Sequence, residues 1–294
     1  MKKYIFFLLS IALLNACKED APFIDFTAKS TPLQGDTAFV DSILVVPQAR
    51  NILLEDITGV RCPNCPQSHD VAKSISDANP GRIVVLALHA FSNPIFTDPI
   101  VSSGFGYPEF RDSTADYIVT QLLGNPSALP QGAVNRRFFP SESNRYLPFS
   151  KWSGYVNSEL AIATPINLSV MNNYNAVTRE VTAVVKMECT QNVTDTVYLS
   201  VGITENEIIG TQKSGIDTIQ NYPHNHIFRK MLTAKAGLRI NSSTVVLNSK
   251  QVVIRVFKYT LPTSWNVNNC NVVGILHKSS SRIDVIHCAE KKIL

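Results

Sequence analysis

The stretch Gly59 to Ile75, GVRCPNCPQSHDVAKSI, constrains this chain more than any other. Two cysteines, Cys62 and Cys65, bracket a Pro-Asn pair where the strand-like stretch Ile52 to Thr58 gives way to a helical pattern from Cys62 to about Ala78. Val71, Ile75 and Ala78 recur at helical spacing, and Asn79-Pro80-Gly81 stops the pattern. Arg82 to Leu88, RIVVLAL, follows as a continuous apolar run, the mark of a strand buried on both faces. Strand, helix and strand in this order make a βαβ unit with a right-handed crossover.

The elements that follow extend this unit. A loop rich in Ser, Pro, Gly and Phe occupies His89 to Pro108. A second helix comes next, with Ser113 and Asp116 placed like a capping box, Ala115, Ile118, Val119, Leu122 and Leu123 apolar, and Gly124 as its stop. In NPSALPQGAVNRRF, Pro130 leads into a short strand, Gly132 to Arg136. A third helix, Ser150 to about Ala161, gathers Trp152, Tyr155, Val156 and Leu160 on one face, and Pro165 ends it. From Ile166 onward the pattern is one of short strands with partial alternation, separated by Asn, Ser, Lys and Gly turns, which predicts an antiparallel β-sandwich. Upstream of the βαβ unit, Ser42 to Val46 also reads as strand.

The N-terminus fixes the compartment. Lys2 and Lys3 precede the apolar run Tyr4 to Leu14, and Leu14-Asn15-Ala16-Cys17 resembles a bacterial lipobox in which Cys17 is acylated. The expected division is a signal peptide over 1–16, a lipidated tether over 17–38, an α/β domain over 39–163 and a β-sandwich over 164–294. A lipid anchor is therefore expected, and Lys18-Glu19-Asp20 resembles the signal that sends some lipoproteins to the outer surface of the outer membrane. An outer-membrane lipoprotein, at the periplasmic face or the cell surface, is the expected location. The formal charge is +4 over 294 residues, and loss of the signal removes two lysines, leaving a nearly neutral chain that argues against nucleic acid as a partner. Disulfides persist in such a compartment. Beyond Cys17 there remain Cys62, Cys65, Cys189, Cys270 and Cys288.

A CxxC at a helix start places the first sulfur beside unpaired backbone amides and the positive end of the macrodipole, which favours thiolate. Cys62 is then the nucleophile and Cys65 the resolving thiol. Pro66 fits the first helical turn, where a missing N–H costs least. Asp56, on the strand leading in, is the expected proton carrier behind the pair, its pKa raised by burial; its neighbour Glu55 points to the opposite face. Pro130 fits a cis peptide whose backbone faces the cysteines and pairs with an extended substrate. Arg61 adds a guanidinium near Cys62. His69 falls on the cysteines' side of the helix, as a tuning group, a metal ligand beside the two sulfurs, or a half-buried helix residue.

Elsewhere the signals are weaker. His224 and His226 share one face if their segment is extended, with a role at the domain interface ahead of metal binding. Cys270 and Cys288 flank a hairpin whose turn is placed at Lys278 to Arg282, so a cross-strand disulfide between them is expected if register agrees, with Cys189 unpaired or competing. GxGxxG, phosphate-loop, GxSxG and HExxH patterns are absent, and no cofactor is implied.

The segments LLEDITGVRCPNCPQSH, VVLALHAF, LGNPSALPQGAVNRRF and YPHNHIFRKML resemble the Omp28-related outer membrane proteins, bacterial lipoproteins or exported proteins with a thioredoxin-like domain followed by an immunoglobulin-like one. The resemblance implies a thioredoxin fold in which Cys62 and Cys65 are the redox pair and Pro130 holds the cis-proline slot. Two functions lead at this point, ahead of metal capture by Cys62, Cys65 and His69. One is thiol–disulfide exchange on exported proteins, with Cys62, Cys65, Asp56 and Pro130 as its machinery. The other is an accessory protein of an outer-membrane complex whose CxxC is a structural disulfide and whose β-sandwich docks partners.

Overall fold

The computed structural model describes residues 35–101, 108–242, 244–279 and 283–294. The export signal, Cys17 and most of the tether lie outside the described residues. The chain is mixed α/β, rich in strand and poor in helix. Its first half supplies β1 (Thr37–Val40), β2 (Ile52–Ile57), α1 (Cys65–Ala78), β3 (Ile83–Leu88), α2 (Pro94–Thr97), α3 (Ser113–Tyr117), β4 (Gln131–Val134) and α4 (Phe149–Leu160). The second half is made of β5 (Ile166–Asn175), β6 (Glu180–Cys189), β7 (Val197–Glu205), β8 (Ile208–Ser214), β9 (Asp217–His224), β10 (Ile227–Met231), β11 (Leu238–Arg239), β12 (Gln251–Thr260), β13 (Cys270–Lys278) and β14 (Val285–Lys292). Among the described residues no helix is long and apolar enough to cross a membrane.

β2 and β3 are buried at every position; β3 is apolar along its length, while β2 carries Glu55 and Asp56 among its apolar residues. They lie parallel at the centre, Ile52 opposite Ile83 through Ile57 opposite Leu88, with α1 as the crossover and β4 antiparallel on the far side of β2. An isolated bridge between Gly132 and Leu147 adds a vestigial fourth strand before α4. On one face Ile52, Leu54 and Val85 pack under α1 and α4, with Trp152 fully buried and its indole N–H donating to the Leu147 carbonyl. Only glycine fits at 132, because a Cβ there would stand 2.5 Å from the Trp152 ring. The opposite face, Leu53, Ile57, Val84, Leu86 and Leu88, packs on the α3 region and on Val273 and Ile275 of β13.

One sheet spans both halves of the sequence, in the order β14, β13, β7, β10, β3, β2, β4. The junction is the parallel contact of β10 with β3, where the Ala87 amide donates to the His226 carbonyl at 2.8 Å. A second sheet, β1-β12-β6-β5, packs across β7, β13 and β14 through Leu168, Val185, Val201, Val253 and Val272, closing a β-sandwich. The hairpin β8–β9 stands outside both sheets.

Several boundaries differ from the sequence expectations. Ser42–Val46 is not a strand; β1 lies just before it and pairs with β12. α3 is capped by Asp112, which accepts from the Thr114 and Ala115 amides, while Asp116 accepts from the Ser92 amide. After five residues α3 loosens into a π-helical turn, Ile118–Leu122. The strand expected to run to Arg136 stops at Val134, because Asn135 and Arg136 take φ of 49° and 53°.

Candidate functional site

α1 begins at Cys65, three residues later than the pattern suggested, so Cys62 lies in the turn before the helix. The Cys62 amide donates to the Gly59 carbonyl at 3.0 Å and the Cys65 amide to the Cys62 carbonyl at 3.3 Å. Gly59 packs so closely on the Phe96 carbonyl that a Cβ would approach it to 2.3 Å. Cys62 and Cys65 form a disulfide with a Cα separation of 5.4 Å. Both residues are 0 % exposed, in one apolar cluster with Leu53, Ile57 and Leu129.

The backbone around the motif is held from the far half of the sequence. The Gln212 side-chain amide of β8 donates to the carbonyls of Gly59 and Cys62, at 3.2 and 3.1 Å. The Lys213 amide donates to Val60 and the Gly215 amide to Pro63. The hairpin is thereby pinned along the backbone that leads into the motif. Arg61 is exposed and turned away, its guanidinium donating to the carbonyls of Asp98 and Pro99, so it gives the sulfurs no local cation.

Glu55 and Asp56 point to opposite faces of β2, as expected of successive strand residues. Glu55 is fully buried against Arg136, whose Nε and Nη2 reach its carboxylate at 2.7 to 3.0 Å. Asp56 is 1 % exposed and has no such partner. The Ser68 hydroxyl is 3.4 Å from both its oxygens, and that hydroxyl has a closer acceptor in the Cys65 carbonyl at 2.8 Å. Burial raises the Asp56 pKa to about 8, against a weaker lowering by Ser68. His69 lies 3.6 Å away, but both of its ring nitrogens are engaged, Nε2 with the Thr58 hydroxyl at 2.9 Å and Nδ1 with the Tyr222 hydroxyl at 2.8 Å. Burial, helped by His226, lowers the His69 pKa to about 4. Near neutral pH the pair therefore carries no charge. Asp56 shares its face with Ile52 and Leu54 and looks into a cavity of about 700 Å³, whereas the disulfide packs on the face of Leu53 and Ile57.

Leu129–Pro130 is cis, and it leads into β4 where Gln131 stands opposite Ile57 at the end of β2. Pro130 thus stands at the same end of the sheet as the turn that carries Cys62 and Cys65, while Asp56 lies on the opposite face of β2. His69 turns to Tyr222 and Thr58 and not to the sulfurs. Among the described residues no group of three or more His, Cys, Asp or Glu is arranged to hold a metal.

Cys270 and Cys288 are free thiols, correcting the expected bridge between them. The register of β13 with β14 pairs Ile275 with Cys288, while the Cys270 carbonyl accepts from Ile293. The two cysteines are therefore offset by roughly 17 Å along the strand, and they feed cores on opposite sides of the sheet. A disulfide needs Cα atoms within about 7 Å. Cys189 is also free and buried. Burial pushes the thiols of Cys189 and Cys270 up, to about 11 and about 12. The backbone turns at His226, φ 57°, so His224 and His226 do not share an extended face. The His224 ring sits between Phe110 and Tyr222, with centroids at 4.7 and 5.0 Å.

The sequence model of the family described as "Outer membrane protein Omp28" matches residues 124–293. The chain belongs to the Omp28 family. Membership makes it an outer-membrane protein. The matched stretch of this Omp28 family member takes in Pro130, α4 and the strands β5 to β14, and leaves β1, Cys62 and Cys65 outside. Comparison with curated protein sequences returns no match. Among solved structures, the chain is similar to HBP35 of Porphyromonas gingivalis, with a TM-score of 0.63 at 13 % identity, over 83 % of this chain and 76 % of that one. It also aligns with a protein from Agrobacterium tumefaciens, TM-score 0.48 at 13 % identity, over 85 % and 97 %. A third match is a domain of the outer membrane lipoprotein Omp28 from P. gingivalis, TM-score 0.32 at 17 % identity, over 44 % and 88 %. At these identities the likeness to HBP35 speaks of fold alone.

Proposed function

We propose that the chain is a lipid-anchored accessory protein of the outer membrane, held there through Cys17. In this reading it carries a thioredoxin-like unit over 39–163 and an immunoglobulin-like sandwich over 164–294, and the Cys62–Cys65 disulfide is a structural staple. The thioredoxin-like assignment draws on the βαβ order around CxxC, the cis Pro130 before β4, and the vestigial strand before α4. The staple reading rests on one observation: both cysteines are 0 % exposed in a turn whose backbone is bonded to the β8–β9 hairpin. The bond fixes the turn that Gln212, Lys213 and Gly215 grip, and partners dock on the sandwich. A reduction potential below about −300 mV, with Cys62 unreactive to alkylation in the native reduced protein, is the expected result. A potential between about −270 and −120 mV, with selective alkylation of Cys62 at mildly acidic pH, overturns the staple reading.

A second reading, thiol–disulfide exchange on exported proteins, is favoured by Asp56, whose raised pKa suits a proton carrier near neutrality. Exchange then requires the hairpin to lift. Cells carrying Cys65→Ala separate the two readings, since mixed disulfides accumulate on Cys62 under the second and none form under the first.

A further inference from the structure

We propose that the cavity beside α1 binds an organic cation, a primary ammonium or guanidinium on an uncharged stem, with its head on the Asp56 carboxyl. The cavity opens on the face of β2 opposite the disulfide, and the proposal does not depend on either reading of that bond.

The argument begins with an incomplete shell. Asp56 is buried at the floor of the cavity, and its hydrogen-bonding neighbour is a serine whose hydroxyl is better placed on the Cys65 carbonyl. A carboxylate has room for several donors and is costly to bury without them. His69 has none to offer, both ring nitrogens being taken. The His226 Nδ1, in the same lining, is likewise buried without a partner. These are unused hydrogen-bonding groups around an open volume, in contrast to the closed Glu55–Arg136 pair one residue away.

The remaining lining selects the class of ligand. Val85 and Ala87 give an apolar floor for a methylene stem, and the Tyr222 ring offers an aromatic wall beside the cation. The rim carries Asp70, Asp77 and Glu207 against two lysines, of which Lys73 is held by Asp77 at 2.6 Å and Lys292 stands at the end of β14. The balance is acidic. A volume of about 700 Å³ exceeds one amine head and suits a longer molecule or a side chain presented by a peptide. Binding converts the Asp56 carboxylic acid to carboxylate, and the proton leaves to solvent. Of the groups facing Asp56, His69 and His226 stay neutral above about pH 4 and Tyr222 titrates near 12, so the proton released near neutrality belongs to Asp56.

The test is calorimetry on the full chain with its disulfide intact, using agmatine, cadaverine and Nα-acetyl-lysine amide, with pentanol as the uncharged control. The expected result is one-to-one binding of the cations and none of pentanol. Runs in buffers of different ionisation enthalpy should report about one proton released, with affinity rising up to tenfold per pH unit towards pH 8 and level above. Asp56→Asn should weaken binding at least tenfold and abolish proton release. Tighter binding of the lysine amide indicates a peptide side chain, and tighter binding of the free amines a small molecule. The wild-type chain supplies a check that needs no variant: saturating agmatine should lower the Asp56 pKa, followed by carboxyl carbon NMR, by more than one unit. Absence of binding, binding indifferent to Asp56→Asn, or an unmoved Asp56 pKa overturns the proposal, and none of these readouts involves the disulfide.

Discussion

Glu55 and Asp56 stand side by side in β2, both out of water, and they have been treated in opposite ways. Glu55 faces the Cys62–Cys65 side of the strand and is closed by a bidentate arginine from the turn after β4. Asp56 faces α1 and has a distant serine, a neutral histidine and a cavity. A buried charge supplied with its counter-charge is part of the scaffold, since the carboxylate is held by two guanidinium nitrogens and carries no proton to exchange. A buried acid without one is held protonated and keeps its capacity for a proton or a cation. One face of β2 is therefore sealed and the other is open, and this asymmetry separates the structural half of the site from the chemical half.

The largest effect should come from breaking the sealed pair. Arg136→Met strands a carboxylate inside the core and is expected to cost about 3 to 5 kcal/mol in urea unfolding at neutral pH. The double variant Glu55→Gln with Arg136→Met should regain most of the loss, because no unpaired charge remains. A single-variant cost under about 1 kcal/mol would mean water reaches Glu55, and the contrast between the faces would fail.

Asp56→Asn should act through pH. The folded-state pKa of Asp56 lies near 8, above an unfolded value of about 3.9. Between these values the folded protein holds a proton that the unfolded chain has lost, so this residue erodes stability by about 1.4 kcal/mol per pH unit as pH rises. Relative to wild type, the variant should gain about 3 kcal/mol between pH 5 and pH 7, nothing further above about pH 8, and nothing below about pH 4. A pH-independent difference would show that Asp56 is ionised throughout and already paired.

The sequence disclosed the sides of this strand better than it disclosed their partners. Alternation along Ile52 to Thr58 placed Glu55 and Asp56 on opposite faces, the CxxC marked the strand-to-helix turn, and Pro130 was readable from its place before a short strand. These are local signals. Arg136 was hidden because it sits past a strand that ends in two residues of positive φ, where a pattern of alternation no longer tells direction. Gln212 was hidden by distance, since 150 residues separate it from the carbonyl it holds. The expected Cys270–Cys288 bridge failed for a related reason: symmetry about an assumed turn does not fix register, and the observed register centres the hairpin later.

Removing the staple should have a smaller effect. Cys62→Ala with Cys65→Ala opens a very short loop, for which the chain-entropy contribution is only about 2 kcal/mol. Unfolding by denaturant should register that loss. Hydrogen exchange should place it at the hairpin amides of Lys213 and Gly215, which bond to the motif's backbone, with β2 and β3 unaffected.

The smallest expected effect on stability, from Gln212→Ala, is the sharpest on mechanism. Its side-chain amide bridges the Gly59 and Cys62 carbonyls from a fully buried position, and its loss should cost about 1 kcal/mol. If dithiothreitol reaches the sulfurs only when the hairpin lifts, the rate of native-state reduction follows the opening equilibrium and should rise roughly fivefold, the equivalent of that free energy. Asp56→Asn acts on the other face and should leave the rate at its wild-type value. A fall in rate on Asp56→Asn would mean that the acid serves the sulfurs as a proton carrier, which would join the two faces into one redox site and favour exchange over the staple. A Gln212→Ala rate equal to wild type would remove the hairpin as the barrier, and the burial of Cys62 would then be the work of the first half of the chain alone.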